Sequence, residues 1–209
     1  METVQGEGGI FPADKEFLQK IYKLCNEKDI LLILDEVQCG MGRCGSMYAF
    51  MQYDVCPDIL TSAKALGNGV PVGAFLVNKK VASASLVAGD HGTTYGGNPF
   101  ATAAVCEVLR QYEKLDIVSH VKALTPYLES RLDELVNKYD CITSRRGMGF
   151  MQGLELNIAP SEVINAGIEK GILTLSAGSN VLRLLPPLII TDKDIDNMYD
   201  ILDDVFAHI

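Results

Sequence analysis

The sequence predicts an α/β fold, a mostly parallel sheet with helices, followed by a smaller α+β unit. Three observations carry this expectation. Ile30-Leu31-Leu32-Ile33-Leu34 is an uninterrupted apolar run of strand length that stops at Asp35 and Glu36, as strands buried on both faces do. An amphipathic pattern over Asp14–Asn26 precedes it, so helix and strand alternate as in a parallel sheet. Beyond about Asp116, long helices and short strands alternate without parallel crossovers, which suits a small α+β unit.

Taken in order, Glu2–Gly9 reads as a strand end running into a glycine-rich loop, which leads us to expect the later part of a longer protein. The first helix carries Phe17, Leu18, Ile21, Tyr22, Leu24 and Cys25 at helical spacing, with Pro12 at its threshold. After Gln38, the run Cys39–Gly45 is a glycine-rich loop without the spacing of a dinucleotide fingerprint. Met47–Gln52 reads as a short helix, Pro57–Thr61 as a strand delivering Ser62, Ala63 and Lys64, and Gly73–Val77 as another strand. In His91–Pro99 no hydrophobic period exists; Asn98 is the expected N-cap and Pro99 the first residue of a helix through about Tyr112. Hydroxyls and N–H groups before that helix could hold an anion, or the stretch is a capped glycine turn.

The next helix, to Lys138, places Val121, Leu124, Leu128, Leu132 and Leu135 on one face. Strands are expected near Cys141–Ser144, Gly149–Leu156, Ile172–Leu175 and Val181–Leu184, with a helix over Ser161–Glu169 ended by Gly171. Thr191 caps a last helix, Asp192 to about Phe206. We place the unit boundary in the long helix near residues 105–118, giving units 1–110 and 111–209.

Composition narrows the function. The formal net charge is −9 with no basic block, so nucleic acid and anionic membrane are excluded as partners. No apolar run approaches the roughly 20 residues a membrane span needs, and the first residues lack a signal-peptide pattern. The six cysteines contain no Cys-x-x-Cys pair, and the three histidines show no ligand spacing. Reduced thiols serving as small core residues in a cytoplasmic protein, and no metal site, are the expectation.

The chemistry gathers at two strand ends. Ligands of open parallel sheets bind outside the carboxyl ends of strands, where Asp35 and Lys64 are expected. Small apolar neighbours, Ala63 and Ala65, should shield Lys64 from water, which disfavours the ammonium and frees the amine as a nucleophile. Pyridoxal phosphate uses such a pair, a lysine for its Schiff base and an acid facing its pyridinium nitrogen. The plainer alternatives are a surface lysine and a strand that simply ends in carboxylates. Arg183, in Val-Leu-Arg-Leu-Leu, either faces solvent or projects into a site; Arg145 and Arg146 read as a solvated turn.

Six blocks then coincide in order: Glu2–Gly9, Leu34–Arg43, Ala63–Gly67, Val70–Ala74, His91–Pro99 and Leu182–Leu188. Together they resemble the carboxyl-terminal half of the class III aminotransferases, nearest the acetylornithine and ornithine group. The resemblance implies part of a fold-type-I pyridoxal-phosphate transferase large domain, then a small α+β domain. It implies that Lys64 bonds the cofactor covalently and, once displaced, shuttles a proton. Asp35 would keep the pyridine nitrogen protonated and Gln38 would bond the phenolic oxygen. Thr94 would reach the phosphate of a neighbouring subunit's cofactor, implying a homodimer with shared sites. Arg183 would grip an α-carboxylate, and Glu7 would lie near the substrate and pair with Arg183 in its absence. The implied reaction moves an amino group from N-acetylornithine or ornithine to 2-oxoglutarate, in arginine biosynthesis. A same-fold aminomutase, a 4-aminobutyrate-type aminotransferase and a non-catalytic folded fragment are the alternatives. Thr3 departs from the family's usual proline and Cys44 from its usual threonine. The family's glycine-rich phosphate loop and ring-stacking aromatic have no counterpart here, so these residues alone are expected to be inactive.

Overall fold

A computed structural model describes residues 1–85 and 87–209. The chain begins with a two-stranded antiparallel pair, β1 (Val4–Gln5) and β2 (Phe11–Pro12), and then helix α1 (Lys15–Lys28). Asp14 caps α1 by accepting from the Phe17 N–H, so the helix starts one position after the Asp14 that the sequence reading gives as its beginning. Strands β3 (Ile33–Asp35), β4 (Ile59–Ser62) and β5 (Ala74–Val77) form a three-stranded sheet in that order. The α/β class holds, but the sheet is mixed rather than mostly parallel. β3 and β4 are parallel, with Asp35 opposite Thr61, whereas β5 runs antiparallel, with Thr61 opposite Phe75. The cause is the connection: β4 leads into a single 3-10 turn, Lys64–Leu66, and a loop, which turns the chain back without the helical crossover that a parallel neighbour needs.

α1 packs Leu18 against Leu32, Leu34 and Leu60, with Tyr53 and Val55 closing the cluster. The opposite side of the sheet is open to solvent among the described residues, with Ile33 and Phe75 45% and 48% exposed there. The apolar run from Ile30 is therefore not a fully buried strand. Ile30 and Leu31 are exposed, and only Ile33–Asp35 has strand structure. Met47–Gln52 contracts to a 3-10 turn at Ala49–Gln52, and a short helix α2 (Lys79–Ala84), capped by Asn78, was not anticipated.

Helix α3 (Pro99–Lys114) begins where Asn98 and Pro99 predict, with Asn98 accepting from the Ala101 N–H at 3.0 Å. Helix α4 (Ile117–Lys138) follows and lies against the carboxyl-terminal unit. There, β6 (Ile142–Met148) and β7 (Met151–Leu156) form a hairpin, joined by α5 (Pro160–Glu169), β8 (Leu175–Ala177), β9 (Val181–Leu184) and α6 (Asp192–Phe206). The sheet is antiparallel throughout, in the order β6-β7-β9-β8. Thr191 and Asp194 form a reciprocal capping box at the start of α6. The main core lies between this sheet and its helices, built from Leu128, Leu132, Leu135, Phe150, Leu154 and Leu202, each fully buried.

A second cluster spans both units: Val4, Ile10 and Cys39 pack with Met151, Ala177 and Val181. Main-chain bonds reinforce it, from the Phe150 N–H to the Arg43 carbonyl and from the Gly178 N–H to the Glu7 carbonyl, both 2.8 Å.

Two sequence expectations fail here. Arg145 and Arg146 are not a solvated turn. They lie on β6, where Arg145 bonds Asp133 at 2.6 Å, and Arg146 bonds the Gly9 carbonyl at 2.7 Å while stacking on Phe11. Two thiols are not core residues either: Cys39 and Cys44 are buried, but Cys56 and Cys106 are exposed. Cys106 follows the α3 period, but little packs on that helix, and Ala101 is its only buried residue.

The core assignment is testable by urea unfolding. Leu132→Ala should lower the unfolding free energy by about 2–5 kcal/mol. Leu173→Ala, at a side chain 85% exposed, should change it by no more than about 0.5 kcal/mol.

Candidate active site

The site forms where the ends of β3 and β4 meet the centre of the antiparallel sheet. Asp35 ends β3, half-buried, and its Oδ1 accepts from the Thr61 hydroxyl at 3.0 Å and the Val37 N–H at 2.9 Å. Those two donors hold the carboxylate in one orientation. Three residues beyond Thr61 the chain reaches Lys64, whose φ of 49° is left-handed. A non-glycine residue there costs on the order of 1 kcal/mol, so the turn after β4 imposes a conformation that lysine does not itself favour. Lys64 is exposed rather than shielded. Its small neighbours do not cover it, because the chain turns immediately and Asn68 and Gly69 beside it are also open.

Arg183, on β9, is only 7% exposed. Its Nη1 donates to Glu7 Oε1 at 2.7 Å and to Gln38 Oε1 at 3.2 Å, and Gln38 Nε2 donates to the same Glu7 oxygen at 3.1 Å. Gly6 makes this triangle possible, since a Cβ there would come within 2.3 Å of Gln38 Oε1. Bonds from Arg183 and then Gln38 hold the Glu7 carboxyl below the usual carboxylate range. Arg183 Nε is buried with no hydrogen-bond partner among the described residues. The guanidinium fork is thus only half used.

Glu7, Gln38, Lys64 and Arg183 line one open cavity of about 420 Å³, with Arg43 and Val37. Asp35 is not on its wall but lies two residues before Val37, at the end of the strand beside the one leading to Lys64. Thr94 is exposed in the loop before α3 and is not brought to this cavity. A larger cavity of about 570 Å³, lined by Tyr112, Leu115 and Leu188, shares Arg43, Ala65 and Asn68 with it but not the lysine or Arg183.

Three contributors escaped the sequence reading. Thr61 fixes Asp35, a role visible only once β3 and β4 are in register. Arg43 is largely buried, donates from Nη1 to the carbonyls of Phe150 and Pro186, and has its pKa pushed down by burial. Glu36, without an assigned role in the sequence, is 1% exposed and accepts from Thr3, Ala49 and Phe50 at 2.7–2.8 Å.

The arrangement suits pyridoxal phosphate. An accessible amine, an oriented carboxylate at the neighbouring strand end, an amide and a half-used buried guanidinium are the groups that an aldehyde, a ring nitrogen, a phenolic oxygen and a substrate carboxylate would require.

Comparison with known proteins gives the same direction. The sequence profile described as aminotransferase class-III matches residues 1–206. The acetylornithine aminotransferase of Methanocaldococcus jannaschii is 47% identical over 209 residues, all of this chain and 52% of that protein. That of Clostridium acetobutylicum is 46% identical over 98% of this chain and 53% of its own. Among solved structures, the acetylornithine aminotransferase of Elizabethkingia anophelis superposes with a TM-score of 0.92 at 33% identity, covering all of this chain and 53% of that one. The ornithine aminotransferase of Toxoplasma gondii, described with partial occupancy of pyridoxal phosphate at its active site, gives 0.92 at 33% identity, covering all of this chain and 50% of its own. The chain spans about half the length of the curated relatives it matches.

Glu7 provides a direct check on the triangle. Its depressed pKa means that the pair with Arg183 is present above the ordinary carboxylate range and is lost as pH falls through the lowered value. Arg183→Gln should move the Glu7 midpoint up toward that of an ordinary carboxylate in a ¹³C NMR titration. An unmoved midpoint would show the pair to be weak in solution.

Proposed function

The chain belongs to the class-III aminotransferase family, whose cofactor is pyridoxal 5'-phosphate, and from that premise we propose that it supplies the catalytic lysine side of an acetylornithine or ornithine aminotransferase. The donor would be N-acetylornithine or ornithine and the acceptor 2-oxoglutarate, a reaction of arginine biosynthesis. The observation that carries this reading is the convergence of Lys64, Gln38, Glu7 and Arg183 on one cavity beside Asp35.

The cofactor, when bound, would supply an electron sink that stabilises negative charge at the substrate carbon bearing the transferred amino group. The protein's residues do the rest. Lys64 would hold the cofactor covalently, and its Nζ, once free, would carry a proton between the substrate carbon that bears the transferred amino group and the cofactor, a task its exposed position permits. Asp35, fixed by Thr61 and Val37, keeps the ring nitrogen protonated. Gln38 donates to the phenolic oxygen. Arg183 receives the substrate carboxylate on its fork, with Glu7 giving way, because the exposed Glu7 side chain loses little by returning to water.

Residues 1–110 are assigned to the cofactor-binding large domain and 111–209 to the small domain. The exposed position of Thr94 supports a role across a homodimer interface, at the partner's phosphate. The remaining half of the relatives' length is proposed to supply the phosphate cradle and ring-stacking group, so a polypeptide of these 209 residues alone would bind the cofactor weakly and be inactive. A cytoplasmic location is part of the same proposal; among the described residues, no helix is long and apolar enough to cross a membrane.

Borohydride reduction of the complete protein with pyridoxal phosphate, followed by peptide mass analysis, should place the label on Lys64, and Lys64→Ala should abolish it. A label on another lysine would overturn the assignment. A tight, Lys64-dependent visible band from the 209 residues alone would overturn the proposed division of labour.

A further inference from the structure

Asp35 and Gln38 bracket a turn whose interior is occupied by a buried carboxyl group, Glu36, whose pKa burial pushes up against the four donors around it. The Glu36 side chain points away from Asp35, as successive strand residues do, and its carboxylate is buried at 1% exposure. Burying a carboxylate is costly unless its oxygens are fully engaged, and these are. Oε1 accepts from the Thr3 hydroxyl at 2.8 Å and the Phe50 N–H at 2.8 Å; Oε2 accepts from the Ala49 N–H at 2.7 Å and the Cys39 thiol at 3.5 Å. Its main chain is equally committed, the N–H to the Thr61 carbonyl at 3.1 Å and the carbonyl to the Gly40 N–H at 3.0 Å. At Gly40 a Cβ would sit 2.6 Å from that carbonyl, so the turn tolerates no side chain there.

These contacts join the segment before β1, the turn 36–40 and the start of the 3-10 turn Ala49–Gln52. An apolar residue of similar size could fill this space. It could not satisfy the Ala49 and Phe50 N–H groups and the Thr3 hydroxyl together, and an orphaned donor in a buried site is destabilising. The carboxylate therefore specifies the path of the backbone that carries Asp35 on one side and Gln38 on the other.

We propose that Glu36 is a positioning residue for the cofactor: its buried carboxylate, gripped by Thr3, Cys39, Ala49 and Phe50, sets the orientation of Asp35 and Gln38 toward the ring. The inference rests on the reading of Lys64, Asp35 and Gln38 as cofactor ligands. It assigns Thr3, whose side chain is fully buried, a supporting part through its hydroxyl.

The test uses the complete protein. Glu36→Gln keeps the size of the side chain but turns one acceptor into a donor, so it must face a donor at Ala49 or at Phe50 and Thr3. Three quantities are read for wild type, Glu36→Gln, Thr3→Val and Lys64→Ala: the affinity for pyridoxal phosphate, the pH midpoint of the visible band of the bound cofactor, and amide exchange at Val37–Gly40 in cofactor-free protein. Glu36→Gln should weaken cofactor binding roughly tenfold or more, shift the midpoint, and speed exchange at Val37–Gly40 while α4 and α6 stay protected. Thr3→Val should move all three in the same direction by less. A Glu36→Gln protein that melts earlier but keeps wild-type affinity and midpoint would reduce Glu36 to a packing role and overturn the proposal. Should that variant fail to fold, Thr3→Val decides, and unchanged affinity and midpoint there overturn it. A wild type indistinguishable from Lys64→Ala in the visible region would refute the functional reading itself, and this inference with it.

Discussion

A buried guanidinium held by an exposed carboxylate organises this structure. Arg183 lies within the carboxyl-terminal antiparallel sheet, and its Nη1 reaches Glu7 and Gln38, two loops belonging to the other unit. A charge at 7% exposure is unfavourable unless it is paired, so the two units must keep a fixed relation at this point for the sheet to tolerate the arginine. The cluster that spans both units, with Ile10 and Cys39 against Met151 and Val181, supplies the apolar half of the same joint. The asymmetry of the pair is what gives it chemical use. The arginine cannot leave, whereas Glu7, open to water, can be replaced by another carboxylate. The fork of Arg183, with its Nε unpaired among the described residues, is thus oriented before any ligand arrives.

Preparation of this kind recurs around the cavity. Asp35 is fixed by Thr61 and Val37 before any ligand arrives, and Lys64 is held in left-handed backbone by the turn after β4. Both are placed by the protein's own bonds and backbone, so their orientation does not depend on a ligand. The sheet that carries Asp35 is bare on the side bearing Ile33 and Phe75, and exposed apolar faces of that kind normally find cover. This agrees with the chain spanning about half of its relatives' length.

Much of this was legible in the sequence, for identifiable reasons. Caps are local: Asn98 with Pro99, and Thr191 with Asp194, announce their helices because the bonds they make lie within one turn. The Glu7–Arg183 pair came from the family resemblance and not from spacing, since its partners are far apart in the chain. What was missed is what tertiary context decides. The reversal of β5 depends on the turn after Ser62, and the exposure of Lys64 on that same turn. Arg145 and Arg146 resembled a solvated turn because their partners Asp133 and Gly9 lie on other elements. The role of Thr61 requires β3 and β4 to be in register, and that of Glu36 requires Ala49 and Phe50 to come back beneath it.

Lys64, Asp35, Gln38 and Arg183 are proposed to form one side of a single pyridoxal-phosphate site. A crystal structure of the complete protein with the cofactor tests it most directly. Continuous density is expected from Lys64 Nζ to the ring, with the Asp35 carboxylate beside the ring nitrogen and Arg183 facing the substrate side of the ring. A cofactor bound away from Lys64, or a ring nitrogen with no contact to Asp35, would contradict it.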